Sequence, residues 1–314
     1  HLRGDVEREL REAQIGATTA ERVGRIVQVV ERLAPGGLVT LALDLTKRLG
    51  SDSRIFSLQG RGNELAEAWP ALNSLDQPVE CFDRKPGVNI ALIGVLRRRL
   101  IELKPAAVIV HHIGPLLYAG IAARLAGVRS LIHVEHDAWH YRSQKSHRAI
   151  LRFAVHILRP RRVAVSAEVA ATAAGIARAR PPIIIGPGID MARFSVGDRC
   201  AARIRLGLSK HAKVVGSVGR LVPVKGYDIL LRAIAGMPAD LHLVLIGDGP
   251  EKQRLRSMAR ELGIAERVHD IGHVDEVETL LPAFDVFCLS SHNEGLPRAL
   301  LEAQAADLPV VATS

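Results

Sequence analysis

Short apolar runs alternate with stretches of helical periodicity along most of this chain of 314 residues. Runs such as 106–111 and 241–246 have the length of strands, and each is followed by a stretch long enough for a helix. Strands that alternate with helices at this spacing predict parallel sheets in doubly wound α/β domains. The alternation breaks at 186–190, which is rich in Gly and Pro, so we predict two doubly wound domains, 1–190 and 191–314.

The composition favours a water-soluble protein with ample core, since 48% of the residues are apolar. No apolar run is long enough to span a bilayer, and the first residues lack the apolar stretch of a secretory signal. Cys81, Cys200 and Cys288 are widely spaced and fit no metal-ligand pattern, which predicts reduced thiols. We therefore expect a cytoplasmic protein.

The charge balance favours an acidic ligand or surface. The chain has 42 Lys and Arg residues against 33 Asp and Glu residues, a formal net charge of +9. Such an excess suits a nucleotide, a nucleic acid or an anionic membrane. Aromatic residues make up only 4% of the chain, which disfavours stacking on single strands, so we predict no nucleic-acid partner.

Residues 142–162 hold seven basic side chains and no acidic one, with apolar residues between them. One interpretation is a basic amphipathic helix that lies on an anionic membrane and makes the protein peripheral at its inner face. The other, commoner arrangement is a helix that packs on its sheet and leaves a basic face in solvent. The basic residues are Arg142, Lys145, Arg148, Arg152, Arg159, Arg161 and Arg162.

The stretch 290–303 reads as a loop and a helix start after the apolar run 286–289, which is predicted to be a buried strand. In a doubly wound sheet, ligands bind beyond the carboxyl ends of the strands, where helix N-termini present free N–H groups. Glu294 lies in the loop, whereas Glu302 lies roughly 80° further round the helix that begins near Pro297. Carboxylates so separated suit two parts of one polyhydroxylated ligand. Alternatively, Glu294 complements the helix dipole and Glu302 is a solvated surface residue.

Two further loops after predicted strands suit phosphate groups. Gly36 and Gly37 follow the first strand, and a double glycine lets the main chain approach a ligand closely. Arg220 and Lys225 follow the run 214–219 and combine a planar guanidinium with a point charge, which suits a diphosphate. Neither loop has a dinucleotide or phosphate-loop fingerprint, and tight turns and surface cations also produce such patterns.

His136 ends the predicted strand 130–136, with His133 and Glu135 on the opposite face. Because the carboxyl end of a strand faces the ligand crevice, His136 is a candidate proton donor or hydroxyl ligand. The alternative is a half-buried histidine bonded to the backbone. A metal cluster is a further alternative, although its spacing fits no single-element motif. Its ligands would be His111, His112, Asp137 and His140.

In their order and spacing these features resemble the retaining glycosyltransferases of family 4, which have the GT-B architecture. Each feature is weak alone, whereas the series covers nearly the whole chain. The matching positions are Gly36-Gly37, His136, Gly188-Ile189-Asp190, Arg193-Phe194, Gly219-Arg220, Lys225-Gly226, Gly247-Asp248-Gly249, Glu294-Gly295 and Glu302. The resemblance implies an α/β fold of two Rossmann-like doubly wound domains that face a cleft, with the second domain truncated at its C-terminus.

The resemblance also implies a nucleotide-sugar donor, a UDP- or GDP-sugar, in the C-terminal domain. Arg220 and Lys225 would contact its diphosphate. Glu302 would bind the ribose hydroxyls and Glu294 the sugar hydroxyls, with His136 beside the transferred sugar. The main chain around the donor would come from Gly36, Gly37, Gly219, Gly272, Gly295 and Leu296.

The expected chemistry is transfer of the sugar to a glycan or lipid-linked acceptor, with retention of configuration, in cell-surface polysaccharide or glycolipid synthesis. Two cations and helix N–H groups can stabilise a departing diphosphate. No Asp-x-Asp occurs in the chain, so we expect no metal and no other cofactor. The predicted catalytic residues are His136, Arg220, Lys225 and Glu294.

The chain departs from the family pattern at Leu38, Pro187 and Asp307, and it also ends earlier than family members usually do. Asp307 stands where the helix usually ends in Gly, which is acceptable because Asp tolerates the left-handed conformation. Family members usually continue past the position of Ser314, so we expect the chain to be a fragment. The alternative functions are a non-catalytic nucleotide-sugar binder and a GT-B nucleotide-sugar epimerase. A dehydrogenase is disfavoured because the dinucleotide fingerprint is absent.

Overall fold

The computed structural model describes residues 24–49, 52–69, 72, 79–137, 141, 145–195 and 197–313. The sequence also predicts a polar helix at 5–14, which lies outside these residues, as do His140 and Arg142. Within the described residues, the strands form one sheet of seven strands and one of five. Both sheets are parallel wherever the register is defined, as the alternation of strands and helices predicts.

The first sheet is built from strands between residues 26 and 184. Its strands are β1 (Ile26–Arg32), β2 (Arg54–Gln59), β3 (Val79–Cys81), β4 (Ala107–His111), β5 (Ser130–Glu135), β6 (Arg161–Ala164) and β7 (Ile183–Ile184). Their order is β3-β2-β1-β4-β5-β6-β7. The direction of strand addition therefore reverses between β1 and β4, which is the topological switch point of a doubly wound sheet.

The second sheet repeats this topology. Its strands are β8 (Lys213–Val218), β9 (Leu241–Ile246), β10 (Val268–Gly272), β11 (Val286–Leu289) and β12 (Val310–Ala312), in the order β10-β9-β8-β11-β12. The switch point lies between β8 and β11. Each switch point leaves the carboxyl ends of two neighbouring strands free to present ligand-binding loops.

Helices connect the strands. The α-helices are α1 (Gly37–Leu49), α2 (Gly62–Ala68), α3 (Ala91–Leu103), α4 (Ile113–Pro115), α5 (Ile121–Leu125), α6 (Lys145–Phe153), α7 (Ala167–Ala177), α8 (Met191–Phe194), α9 (Arg199–Arg205), α10 (Tyr227–Ala235), α11 (Lys252–Glu261) and α12 (Arg298–Ala305). Leu116–Gly120 and Ala154–Leu158 are π-helical. Pro223–Lys225, Ala265–Arg267, Val277–Thr279 and Leu281–Ala283 are 3₁₀ turns.

The second sheet buries apolar residues on both faces. In β9, Leu243 and Leu245 belong to one core cluster, while Val244 and Ile246 belong to the other. Gly216 in β8 has no side chain because the ring of Phe284 fills that space, only 1.9 Å from where a Cβ would lie. A parallel sheet covered on both faces explains why its strands are continuous apolar runs in the sequence.

The structure tests several details of the sequence interpretation. The strands at 241–246 and 286–289 have the predicted bounds. Asp307 has φ of 55°, so the expected left-handed conformation at the end of α12 is confirmed. The short strand β3 escaped prediction because three residues carry too little periodicity to be recognised.

The chain folds as two compact units. Unit 1 takes in the described residues of His1–Leu33, Ala42–Val134 and Ile150–Arg162. Unit 2 takes in those of Ala34–Leu41, Glu135–Ala149 and Val163–Ser314. All the residues predicted to bind the donor or to act in catalysis therefore belong to unit 2. The domain boundary near residue 190 stays a prediction.

A cluster of charged side chains links β8 to the start of β11. Oδ2 of Asp285 accepts hydrogen bonds from the Val214 N–H at 2.8 Å and from Arg203 Nη2 at 3.0 Å, and Oδ1 pairs with Arg199. The Arg203 side chain is only 3% exposed. Burial raises the pKa of Asp285, but the Arg199 and Val214 hydrogen bonds and the two guanidinium charges outweigh burial and lower it.

We expect Asp285→Asn to lower the free energy of unfolding at pH 7 by about 2–3 kcal/mol, because it removes a charged acceptor from buried Arg203. A depressed folded-state pKa stabilises the protein above the unfolded value of about 3.9, and this contribution is lost as the pH falls through the folded value. Thermal unfolding from pH 7 to pH 3 should therefore show the two curves converging in acid. An equal difference at both extremes would contradict this account. Asp240→Asn, in the exposed pair with Lys213, should have a smaller effect.

Candidate active site

The loop that follows β8 is held by close approaches between main chains. The Gly219 N–H donates to the Ile246 carbonyl at 2.9 Å. Gly247 has φ of 144°, and a Cβ there would lie 2.0 Å from the Gly219 carbonyl oxygen. A Cβ on Gly249 would lie 2.3 Å from the Leu221 carbonyl oxygen. The Gly247-Asp248-Gly249 turn therefore needs its glycines to pack against the loop that carries Arg220.

The loop that follows β11 is locked to the same segment. Ser290 Oγ donates to the Lys225 carbonyl at 3.0 Å, and the His292 N–H donates to the Val224 carbonyl at 2.8 Å. Gly226 has φ of 61°, and a Cβ there would lie 2.1 Å from the Ser290 carbonyl oxygen. The two loops at the switch point of the second sheet thus form one unit that positions Lys225 against residues 290–297.

Glu294 and Lys225 meet at this junction. Lys225 Nζ donates to Glu294 Oε1 at 2.5 Å, and Ser291 Oγ donates to the same oxygen at 2.6 Å. The Lys225 side chain is 21% exposed and the Glu294 side chain 23%. Oε2 of Glu294 receives no hydrogen bond from the other described residues. The carboxylate is therefore oriented through one oxygen and retains the other for a ligand.

Arg220 is the cation that remains available at this edge. Its side chain is exposed and makes no hydrogen bond or ion pair with the other described residues. Its Cδ lies 3.9 Å from where a Cβ of Gly36 would be, within unit 2. An unpaired guanidinium beside a glycine main chain can accept two oxygens of a phosphate group through its planar fork.

Glu302 lies on α12 and faces a neighbouring cation. Its Oε1 is 3.5 Å from Arg298 Nε, and the two side chains are only 13% and 7% exposed. A Cβ on Gly37 would lie 3.7 Å from the aliphatic part of Arg298, again within unit 2. Sequence reasoning missed Arg298, although its spacing of four residues before Glu302 on a helix is that of an ion pair.

The remaining residues of the loop before α12 contact the segment after β5 and the start of α7. A Cβ on Gly295 would lie 1.8 Å from the His136 carbonyl oxygen, so Gly295 permits a close main-chain approach within unit 2. Leu296 packs against a buried cluster that includes Val165 and Val169. The half-buried Leu296 side chain therefore packs on this cluster and holds the loop against it.

Tyr227 is a buried phenol that the sequence interpretation overlooked. Its hydroxyl lies 2.9 Å from where a Cβ of Gly219 would be. Burial raises its pKa, the Glu294 charge raises it further, and a hydrogen bond with Ser217 lowers it only partly. The phenol therefore stays neutral, and its hydroxyl lies close to the main chain of Gly219. Tyr227 lies close to apolar residues in the sequence, and such a pattern predicts only a core residue.

Gly272 lies at the carboxyl end of β10 with φ of 80°. Its carbonyl accepts the Gly247 N–H at 2.7 Å, which connects it to the glycine turn after β9. Lys252 Nζ lies 3.6 Å from where a Cβ of Gly272 would be and pairs with Asp248 at 3.2 Å. Gly272 is thus connected to the site by its hydrogen bond with Gly247, and it makes no hydrogen bond with Lys225.

Polar residues of the candidate metal cluster and its surroundings have structural partners. His111 is buried, its Nε2 lies 3.0 Å from Gln28 Oε1, and burial followed by the charges of His112 and His133 lowers its pKa to about 3. Tyr141 donates to buried Glu135 at 2.6 Å. Among the described residues, no three His, Cys, Asp or Glu side chains are grouped to hold a metal, and His140 lies outside them.

The described part of 142–162 packs through one face of α6 and the π-helical turn that follows. Leu151, Ala154 and Leu158 are buried, whereas Phe153 and Ile157 are 48% and 64% exposed. The exposed face therefore mixes apolar and basic residues. No helix in the described chain has the length and apolar character needed to cross a bilayer. Contact with an anionic membrane through 142–162 stays a prediction.

Solved structures with related folds identify the class of the protein. Anabaena HepE in complex with UDP-glucose superposes with a TM-score of 0.78 at 23% identity, over 92% of this chain and 80% of that one. WaaG, a glycosyltransferase of lipopolysaccharide biosynthesis, gives a TM-score of 0.68 at 17% identity over similar shares, 92% and 81%. The two doubly wound parallel sheets and these likenesses define the GT-B fold.

Two family models together match most of the chain. Residues 35–193 match Glycosyltransferase Family 4, and residues 198–314 match Glycosyl transferases group 1. The protein belongs to Glycosyltransferase Family 4, as the sequence features predict.

Curated relatives match over shorter stretches. The D-inositol 3-phosphate glycosyltransferase of Mycolicibacterium gilvum is 42% identical over 139 residues, which are 42% of this chain and 31% of that protein. The lipopolysaccharide core biosynthesis glycosyltransferase LpsE of Rhizobium meliloti is 40% identical over 111 residues, which are 35% of this chain and 32% of that protein. The matches thus span about a third of the length of these relatives.

Proposed function

We propose that the protein is a glycosyltransferase that moves a sugar from a nucleoside-diphosphate donor to an acceptor hydroxyl with retention of configuration. The observation that carries the proposal is the Glu294 carboxylate, which Lys225 and Ser291 orient through one oxygen at the switch point of the second sheet. A carboxylate with an open oxygen suits sugar hydroxyls. Exposed Arg220, in the loop after β8, suits the adjoining diphosphate.

Donor binding divides among the loops of unit 2. Arg220 binds the diphosphate through its free guanidinium, and Lys225 adds a second positive charge while it holds Glu294. Glu302, which lies beside Arg298 on α12, binds the ribose hydroxyls. The main chains of Gly36, Gly37, Gly219, Gly272, Gly295 and Leu296 border the donor, and His136 lies beside the transferred sugar.

The chemical step breaks the bond between the anomeric carbon and the diphosphate oxygen and forms a bond from that carbon to the acceptor oxygen. The acceptor hydroxyl gives its proton to the departing diphosphate on the same face, so the configuration is retained. Arg220 and Lys225 stabilise the charge that develops on the diphosphate, which is the main electrostatic requirement of the step. Since these cations supply that stabilisation, the reaction proceeds without a metal.

The acceptor is a hydroxyl of a glycan, a lipid-linked glycan or a small polyol. The relative from Mycolicibacterium gilvum acts, by its name, on D-inositol 3-phosphate, and the one from Rhizobium meliloti acts in lipopolysaccharide core biosynthesis. HepE has been crystallised with UDP, glucose and UDP-glucose. These relatives support a UDP-sugar as donor and a cell-surface glycan or glycolipid as the product class.

We expect a thermal-shift screen of UDP-, GDP- and ADP-sugars to show selective stabilisation by a UDP-sugar, because a ligand that binds only the native state raises its unfolding temperature. Calorimetry should then show UDP binding about 10–100-fold weaker in Arg220→Ala, the loss expected for one charge-assisted contact. Arg232→Ala removes another exposed arginine of the second domain and is the matched control.

Product analysis with the stabilising donor, with and without EDTA, completes the test. Sugar transfer or slow donor hydrolysis that persists in EDTA is the expected result. Heat of binding without any product would identify a non-catalytic binder, and a changed sugar without transfer would identify an epimerase. If no nucleotide sugar stabilises the protein, or if Arg220→Ala binds UDP as tightly as Arg232→Ala, the proposed donor site is wrong.

A further inference from the structure

A second oriented carboxylate lies in the first sheet, outside the donor site. Glu31 is the penultimate residue of β1, Gln59 is the last residue of β2, and Arg84 follows β3. Gln59 Nε2 and Arg84 Nη2 both donate to Oε1 of Glu31. These residues belong to unit 1, and they place the carboxylate at the carboxyl edge of the sheet.

Arg84 is itself held in position, which fixes the orientation of Glu31. Its Nη1 donates to the Gly87 carbonyl at 3.0 Å, and its guanidinium carbon lies 5.2 Å from the centre of the Tyr118 ring. The Arg84 side chain is only 12% exposed. Because the Gly87 carbonyl and the Tyr118 ring hold the Arg84 guanidinium in place, Arg84 in turn orients the carboxylate of Glu31.

The other oxygen of Glu31 is available to a ligand. Oε2 lies 2.1 Å from where a Cβ of Gly114 would be, so Gly114 makes room for it. Oε2 receives no hydrogen bond from the other described residues, and the side chain is 33% exposed. Two residues before Gly114, His112 has φ of 67° and ψ of 178°, a conformation that residues other than glycine rarely adopt.

The position of Glu31 corresponds to that of Glu294. The contact between Glu31 in β1 and Gly114 after β4 lies at the switch point of the first sheet, as Glu294 lies at that of the second. Each carboxylate accepts a cationic and a neutral donor through one oxygen and leaves the other open. Ligands of doubly wound sheets bind at such points. The same construction at both switch points indicates the same kind of ligand, a hydroxyl group.

We propose that Glu31 is a hydroxyl-binding, specificity-determining residue for the acceptor, and that the acceptor group it receives is an uncharged polyol or sugar. This assignment rests on the proposed function. The class follows from charge, because the buried cation of the cluster, Arg84, is already neutralised by Glu31. Two exposed cations of the same unit, Arg61 and Lys85, both pair with Asp83. A phosphate at this point would meet the negative charge of Glu31, and the buried guanidinium of Arg84 that could offset it is already paired.

The test compares Glu31→Gln with Glu80→Gln. Glu80 pairs with Arg99 within the same unit and provides the same substitution in another Glu–Arg pair. NMR titrations in saturating UDP would use two matched pairs of probes, myo-inositol with inositol 3-phosphate and methyl glucoside with its 6-phosphate. We expect the neutral member of a pair to bind at least as tightly as the phosphorylated one, and Glu31→Gln to weaken it by about 10-fold or more, the effect of one charged hydrogen bond.

Calorimetric UDP binding and acceptor-free donor hydrolysis should be unchanged in Glu31→Gln, which separates this inference from the donor site. If the wild type neither transfers the sugar nor hydrolyses the donor, the proposed function fails instead. Gln59→Leu, which removes the neutral donor and keeps the charge pair, should weaken probe binding by a smaller factor even if Glu31→Gln unfolds. A preference above 10-fold for the phosphorylated probes, or equal probe binding by Glu31→Gln and Glu80→Gln, would overturn the assignment.

Discussion

Replacement of Glu294 by glutamine is expected to lower sugar transfer by about 100- to 1000-fold, the loss typical of one oriented electrostatic group. Glutamine has nearly the shape of glutamate but lacks the charge that Lys225 Nζ and Ser291 Oγ now orient. Because Glu294 is assigned to the sugar and not to the nucleotide, UDP binding measured by calorimetry should change little. Lys225→Met should lower transfer by a similar factor and should also weaken UDP binding.

The two substitutions should be strongly non-additive. Since Lys225 and Glu294 hold each other at 2.5 Å, the double variant should be scarcely less active than the worse single variant. Lys213 and Asp240 form a matched control pair in the same domain, 2.8 Å apart but 66% and 59% exposed. Lys213→Met and Asp240→Asn should retain wild-type transfer. A Glu294→Gln enzyme with more than a tenth of normal transfer would remove Glu294 from the mechanism.

Gly226→Ala is expected to have the largest effect on the organisation of the site. The residue has φ of 61°, which costs an alanine about 1–2 kcal/mol. Its Cβ would also lie 2.1 Å from the Ser290 carbonyl oxygen, and such overpacking adds about 1–3 kcal/mol. The loop from Ser290 must then move away from Lys225. We expect a loss of stability of about 2–5 kcal/mol, measured by denaturant unfolding, and UDP-sugar binding weakened at least 10-fold.

Gly207→Ala separates the two contributions. Gly207 has nearly the same φ, 66°, but no heavy atom lies within 4 Å of its Cβ position. It should therefore show only the conformational cost of about 1–2 kcal/mol, with normal binding of the UDP-sugar. If both variants lose the same stability and bind the donor equally, the close contact between Gly226 and Ser290 does not hold the two loops in register.

Much of the fold was predictable because its signals are local. The strands at 241–246 and 286–289 are continuous apolar runs, as expected for a parallel sheet covered on both faces. Asp307 was predictable as a left-handed cap because few residue types tolerate that conformation. The strand β3 was not predictable, since its three residues are stabilised by pairing with β2 rather than by any periodicity of their own.

The site was predictable only in part. The predicted ends of the strands place Arg220, Lys225 and Glu294 in loops. The sequence does not reveal which of these side chains form hydrogen bonds or ion pairs with one another. The ion pair of Lys225 with Glu294 and the burial of Arg298 emerged only from the tertiary structure, although the spacing of Arg298 and Glu302 on α12 was a local signal. Their roles in donor binding stay predictions that the variants above test.

The sequence by itself determined the alternation of strands and helices, the turns that need glycine, and the family. These follow from strand length, helix periodicity and backbone freedom, which are properties of neighbouring residues. Only the tertiary structure decided that Glu31 and Glu294 are each oriented through one oxygen with the other left open. Those bonds join residues 28 to 69 positions apart in three of the four cases, and such distant pairs are brought together by sheet order, which no local pattern encodes.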